Sequence, residues 1–182
     1  VNTTANLRLV GGSGDDTFQF LAEDSSVTGG ITAGSTDSNN ETNLIDAFDY
    51  EAVWSIDGAG EGDLFRVVND TNVLVAEFDG INQIDAGTAK DVFTFSGSGQ
   101  LHTINGGVGV LDEIHAAADG STWNIDGLGG SINNSANQEV VNRFTQIERG
   151  FGSIGTDSFI IGNGISLSHI DGGTQTLNND VI

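Results

Sequence analysis

Apolar residues in this chain recur with a period of two in short runs, and nowhere with the period of a helix. Asp91-Val92-Phe93-Thr94-Phe95, Leu101-His102-Thr103-Ile104, Trp123-Asn124-Ile125 and Asp157-Ser158-Phe159-Ile160-Ile161 all alternate, as half-buried strands do. Gly, Asn, Asp or Ser bounds each run, and these residues supply the positive-φ turns that separate strands. Strands this short are unstable alone, but stacked as rungs each backbone pairs with the rung above and below. The pattern therefore predicts an all-β chain, read as a parallel β-helix or β-solenoid of about eight short coils. Residues 67–76 stand apart. Two β-branched runs there flank Asn69-Asp70-Thr71-Asn72 and predict a hairpin, inserted as a flap beside the stack. Residues 130–142 are polar and are expected to form a loop, as are the small and polar residues 35–42.

The runs repeat. Phe78, Ile81, Asp91, Phe93, Leu101, Ile104 and Gly106-Gly107 recur as Phe144, Ile147, Asp157, Phe159, Leu167, Ile170 and Gly172-Gly173, always 66 positions on. A looser copy precedes them: Asp16 and Phe18 answer to Asp91 and Phe93, and Trp54-Ser55-Ile56-Asp57-Gly58 answers to Trp123-Asn124-Ile125-Asp126-Gly127. A fixed long period points to stacked units that bury their apolar faces only against one another. The chain is read as one elongated domain over residues 1–182, with repeats at about 6–80 and 81–146 and a partial third at 147–182. It contains no Met, which reads as an excerpt of a larger polypeptide. Phe18, Phe93, Phe159, Trp54, Trp123, Ile104 and Ile170 are the expected core, the three Phe forming a stacked ladder. Trp-x-Ile sets both side chains on one face, which favours core over sugar stacking for the two Trp.

Composition narrows function. The formal net charge is −21 with only 5 Lys and Arg, which argues against nucleic acid and against anionic membrane surfaces. It suits cation binding, solubility or a salty medium. Without Cys there are no disulfides or thiolate metal sites. No apolar run reaches the roughly 18 residues of a membrane span, and residues 1–10 do not read as a signal peptide.

Gly11-Gly12-Ser13-Gly14-Asp15-Asp16-Thr17-Phe18-Gln19 fits the calcium nonapeptide G-G-x-G-x-D-x-U-x. Its glycines let carbonyls face a cation, and its Asp residues supply hard oxygen ligands. A variant with one extra residue, Gly106 to Ile114, brings in Asp112. Calcium is thus the one cofactor suggested, with Gly11, Ser13, Asp15, Asp16 and Asp112 as candidate ligands. The alternative for Asp16, Asp91 and Asp157 is turn capping, in which the carboxylate accepts backbone N–H bonds, and it is the favoured role. His102, His115 and His169 do not superpose under the repeat, which argues against a histidine metal site.

The order Phe-x-x-Ile, Asp-x-Phe, Ile-x-Gly-Gly and Trp-x-Ile-Asp-Gly resembles long-repeat segments of giant bacterial secreted and surface proteins, similar to RTX-like calcium-binding repeats and filamentous adhesin β-solenoids. The resemblance implies an extracellular or cell-surface module with structural, adhesive or spacer work. Its partners would be neighbouring repeats of the parent chain and a surface glycan or matrix. A polysaccharide-acting parallel β-helix enzyme or a carbohydrate-binding module is the alternative. No Gly-x-Ser-x-Gly elbow is present, 26 acids permit too many carboxylate pairings to single one out, and near-identical repeats argue against one special site, so no catalytic residue is named. An ice-binding array is disfavoured, because Thr does not recur at coil spacing.

Overall fold

The computed structural model describes residues 6–34, 41–47, 49–109, 111–117, 119–165 and 167–174. These form 17 strands and no helix. The first three are β1 (Leu9–Gly12), β2 (Asp16–Gln19) and β3 (Val27–Gly34). Next come β4 (Asn43–Asp46), β5 (Ala52–Gly58), β6 (Glu61–Val68) and β7 (Thr71–Asp79). The middle of the chain forms β8 (Gln83–Asp85), β9 (Asp91–Phe95), β10 (Leu101–Asn105) and β11 (Glu113–His115). Then follow β12 (Ser121–Asp126), β13 (Gly129–Asn134) and β14 (Glu139–Thr145). The last are β15 (Arg149–Phe151), β16 (Ser158–Ile161) and β17 (His169–Asp171). Among the described residues no helix is long and apolar enough to cross a membrane.

The strands build two open sheets. The front sheet runs β1-β3-β7-β6-β5-β9-β11-β15-β17 and the back sheet runs β16-β12-β13-β14-β10-β8-β4-β2. Both are mixed, not purely parallel as expected. Strands that follow one another within a sheet after a crossing pair in parallel, as β9 with β11 and β4 with β8 do. Antiparallel pairing is confined to two meanders, β5-β6-β7 in front and β12-β13-β14 behind. In each meander the chain strides ahead and then folds back, so that β5 pairs with the later β9 while β7 pairs with the earlier β3.

The hairpin expected near 67–76 is the β6–β7 turn. Asn69 and Asp70 both have positive φ, 50° and 60°, the two-residue conformation whose twist matches antiparallel strands. It is not a flap beside the stack, because both its strands are paired within the front sheet. Residues 130–142 likewise form no loop but the β13–β14 hairpin. Their inward positions are few, Ile132, Val140 and Val141, and the polar outer face masks the alternation.

The strand series β1–β7 and β8–β14 share one pairing pattern, but the front sheet of one corresponds to the back sheet of the other. From a strand to its equivalent in the next series the chain crosses between sheets five times, so the equivalents Trp54 and Trp123 fall on opposite sheets. The same holds for Phe93 on β9 and Phe159 on β16, so the three Phe do not stack into one ladder. Each of the last two stacks instead on a Trp: Phe93 on Trp54 at 5.9 Å between ring centroids, Phe159 on Trp123 at 5.6 Å. Phe78 and Phe144 close the two clusters edgewise, at 6.4 and 6.0 Å.

One apolar core gathers residues from both sheets, including Trp54, Trp123, Phe93, Phe159 and Ile104, all buried. Phe18 and Ile170 are only half-buried. They lie on β2 and β17, the terminal strands of their sheets, where no further strand among the described residues covers them.

Candidate functional site

The turn from β1 to β2 carries the nonapeptide. Asp16 Oδ2 accepts the Gly12 N–H at 2.9 Å, and Asp15 Oδ1 accepts the Thr42 N–H at 2.7 Å. An ideal Cβ on Gly11 would come within 2.2 Å of Asp16 Oδ2, so a side chain there would push the carboxylate aside. Ser13 is exposed. At the corresponding turn before β16, Asp157 Oδ2 accepts the Ser153 N–H at 2.9 Å. Asp16 and Asp157 thus tie down backbone in the manner of a capping carboxylate. Asp112 is not brought to Asp15 and Asp16. It precedes β11 in the front sheet, whereas β2 ends the back sheet. Among the described residues no group of three or more His, Asp or Glu side chains is arranged to hold a metal ion.

Asp91 breaks the capping pattern. Its Oδ1 accepts the indole N–H of Trp54 at 3.1 Å, and its Oδ2 is buried with no hydrogen-bond partner. Its own N–H donates to Asp112 Oδ1 at 2.8 Å, and the Asp112 N–H donates to Glu148 Oε2 at 2.9 Å. Asp112 Oδ2 is also buried and unpartnered. Both Asp side chains are fully buried. Burial raises the Asp91 pKa to about 8 against the hydrogen bond from Trp54, with the Asp112, Glu51 and Asp49 charges adding to the rise. Burial likewise raises Asp112 to about 7 against the Asp91 N–H, helped by Glu148 and Glu113 and opposed by Lys90.

The back sheet carries the same ladder in amides. The Asp16 N–H donates to Asn43 Oδ1 at 3.2 Å and the Asn43 N–H to Asn82 Oδ1 at 2.9 Å. Asn43 Nδ2 donates to the Gly80 carbonyl at 3.1 Å. Asn43 lies 69 positions before Asp112, and Asn82 lies 66 before Glu148. Aligning the repeats at those offsets is the sequence signal that would have singled out this node.

Two further features lie on the outer face of the front sheet. Glu113 on β11 gathers Lys90 Nζ at 3.3 Å, Arg149 at 2.8 Å and His115 Nε2 at 3.2 Å. Burial opposes its ionisation, but the bonds from His115 and Lys90 and the charges of Lys90 and Arg149 prevail and hold its pKa below the ordinary value. The His115 ring stacks on Phe151 at 4.4 Å. An open groove of about 490 Å³ crosses β3, β7, β6 and β5, lined by Asp57, Glu61, Asp63, Glu77 and Asp79 with Arg8 among its walls. Burial and the Glu77 and Asp57 charges raise the Asp63 pKa. The three His do not converge: His102 sits by Glu139 on the back sheet, His115 and His169 on the front.

Comparison with protein-family models, with curated proteins and with solved structures returned no match.

Proposed function

We propose that this chain is a β-solenoid segment of about eight coils from a large bacterial surface or secreted protein, non-enzymatic, whose work is to extend and to present an adhesive surface. The observation that carries the reading is the recurrence of one seven-strand pairing scheme, β1–β7 and β8–β14, with the sheets exchanged. A unit of this kind buries its apolar face only against its neighbour and so lengthens without closing. The end strands β1 and β2, and β16 and β17, have one edge unpaired among the described residues. Such edges call for neighbouring repeats of the parent chain as the first partner. Calcium enters as a turn stabiliser at Gly11, Ser13, Asp15 and Asp16, where hard oxygen donors gather in a glycine-rich turn.

The carboxylate-lined groove supports a second reading, a polysaccharide-binding or polysaccharide-cleaving site. Its Asp63, whose pKa is raised by burial and by the Glu77 and Asp57 charges, is the candidate general acid of that reading. One pair of assays separates the two. The protein is put on a glycan and matrix array and incubated with acidic and neutral polysaccharides. A structural module releases no reducing ends. Turnover that Asp63→Asn abolishes would establish the enzyme reading in its place. Array binding lost in Asp57→Asn with Glu77→Gln would mark the groove as the adhesive surface, and a silent array would leave a spacer.

A further inference from the structure

We infer that the cavity between the β9–β10, β11–β12 and β13–β14 turns is an arginine pocket, which takes the side chain of an arginine presented by a partner protein. The inference comes from comparing the two copies of one fork. β9 and β11 are neighbours in the front sheet, but β10 and β12, into which they lead, are separated at the back by β13 and β14. The two turns therefore splay apart, and the β13–β14 turn comes up between them. The first copy builds the same fork with the sheets exchanged. β2 and β4 are neighbours at the back, β3 and β5 are separated in front by β7 and β6, and the β6–β7 hairpin enters the gap. There the chain supplies a cation of its own. The Arg66 side chain crosses the fork and donates through Nη1 to the Glu23 carbonyl in the β2–β3 turn. Tyr50, in the β4–β5 turn, is buried beside it, its hydroxyl pushed up to about 12 by burial against the nearby Arg66 charge.

The second copy lacks both side chains. Arg66 pairs with Ala52 across β5 and β6, and Asn134 pairs with Ser121 in the same place across β12 and β13. Tyr50 and Asp119 stand two residues before those partners, Ala52 and Ser121. The shorter Asn134 and Asp119 leave a cavity of about 320 Å³, walled also by Gly97 to Gln100 of the β9–β10 turn, the counterpart of the turn that holds Glu23. The Asn134 amide is turned back on its own hairpin, its Oδ1 accepting the Ala136 and Gln138 N–H groups, so it does not span the fork as Arg66 does. Asp119 is exposed at the cavity, and among the described residues no Lys, Arg or His lines it. What the second copy has lost is a guanidinium, and what it has gained is a carboxylate. A guanidinium carries five donors and no acceptor, and peptide carbonyls with a carboxylate are a set it can satisfy. The net charge of −21 favours the approach of a basic partner. The cavity shares no lining residue with the carboxylate groove, so it is a site apart from the one considered for glycans.

The test is an amide NMR titration of the native protein at physiological salt with N-acetyl-arginine methylamide, its lysine counterpart and methyl glucoside. The arginine probe should give saturable shifts confined to residues 97–100, 119–121 and 134–138, with a dissociation constant in about the millimolar range. The lysine probe carries the same charge without the planar fork of donors and should bind several-fold more weakly. Asp119→Asn, an exposed change that leaves the hairpin intact, should weaken arginine binding about 2- to 5-fold. Asn134→Arg puts the first copy's side chain into the fork and should exclude the probe. Arginine shifts that do not saturate at these turns overturn the inference, whether or not Asn134→Arg folds. So does an affinity unchanged in Asp119→Asn, or undiminished in a folded Asn134→Arg. A lysine probe that matches arginine, with shifts spread over the acidic surface, would mean charge attraction alone and would overturn it. A glucoside that moves these turns where arginine does not would make the cavity a sugar site, and would overturn it as well.

Discussion

The indole N–H of Trp54 donates directly to the buried carboxylate of Asp91, 3.1 Å away. In the second copy the link runs through a hydroxyl: Trp123 donates to Ser121 Oγ at 2.7 Å, and Ser121 donates to Asp157. Ser121 stands where the first copy has Ala52, so one methyl-to-hydroxyl difference decides whether the Trp–Asp contact is direct or relayed. Both arrangements satisfy a buried indole N–H, which every rung filled by Trp must do.

Trp54→Phe should therefore cost more than its lost area. It strips Asp91 of its side-chain donor, and a loss of about 2–4 kcal/mol is expected in urea unfolding. Ser121→Ala should cost about 1–3 kcal/mol by leaving Trp123 and Asp157 without their shared partner. If Ser121→Ala is neutral, the relay contributes nothing.

Phe93 is fully buried and stacked on Trp54, whereas Phe18 is half-buried on a terminal strand. Phe93→Ala should lose about 3–5 kcal/mol, and Phe18→Ala about half as much. Denaturant midpoints compare them, and equal losses would show that the end rung is covered in solution.

Gly107 has φ of 91°, and an ideal Cβ there would sit 1.5 Å from the Gly87 carbonyl oxygen. No backbone group can yield that far, so Gly107→Ala should prevent folding or cost more than about 4 kcal/mol. Gly14 has a similar φ of 100° but nothing within 4 Å. Gly14→Ala should thus show the conformational cost alone, about 1–2 kcal/mol. Thermal melts of the two variants separate crowding from strain.

Asp70 occupies the second position of the β6–β7 turn at φ 60°, where Gly is preferred. Asp70→Gly should raise stability by up to about 1 kcal/mol, and Asn69→Pro should lower it, because proline cannot adopt positive φ. A melting temperature unchanged by Asn69→Pro would mean that the hairpin turn is not formed as described.

Alternation in runs such as Asp91-Val92-Phe93-Thr94-Phe95 was sufficient to identify those strands, and the offsets of 66 and 69 residues were sufficient to pair Phe and Asp, and Trp, positions between copies. Both follow from local rules: side chains in a strand alternate between faces, and equivalent rungs bury equivalent residues. The hairpin turn at Asn69-Asp70 was legible for the same reason, since its conformation is written in two adjacent residues. The place of β6 and β7 inside the front sheet was not legible, because it depends on which distant strands, β3 and β9, offer edges to the meander. Nor was the exchange of sheets between copies. An offset counts residues, whereas the sheet on which Phe93 or Phe159 falls depends on whether the chain has crossed an odd or even number of times. The Asp91–Asp112 node belongs to the tertiary structure for a further reason. In sequence, Asn43 and Asp112 are two polar residues of one shape before a strand. Only the packing that removes water from Asp112 makes the difference between amide and carboxyl matter, because burial penalises the charge that the carboxyl alone can carry.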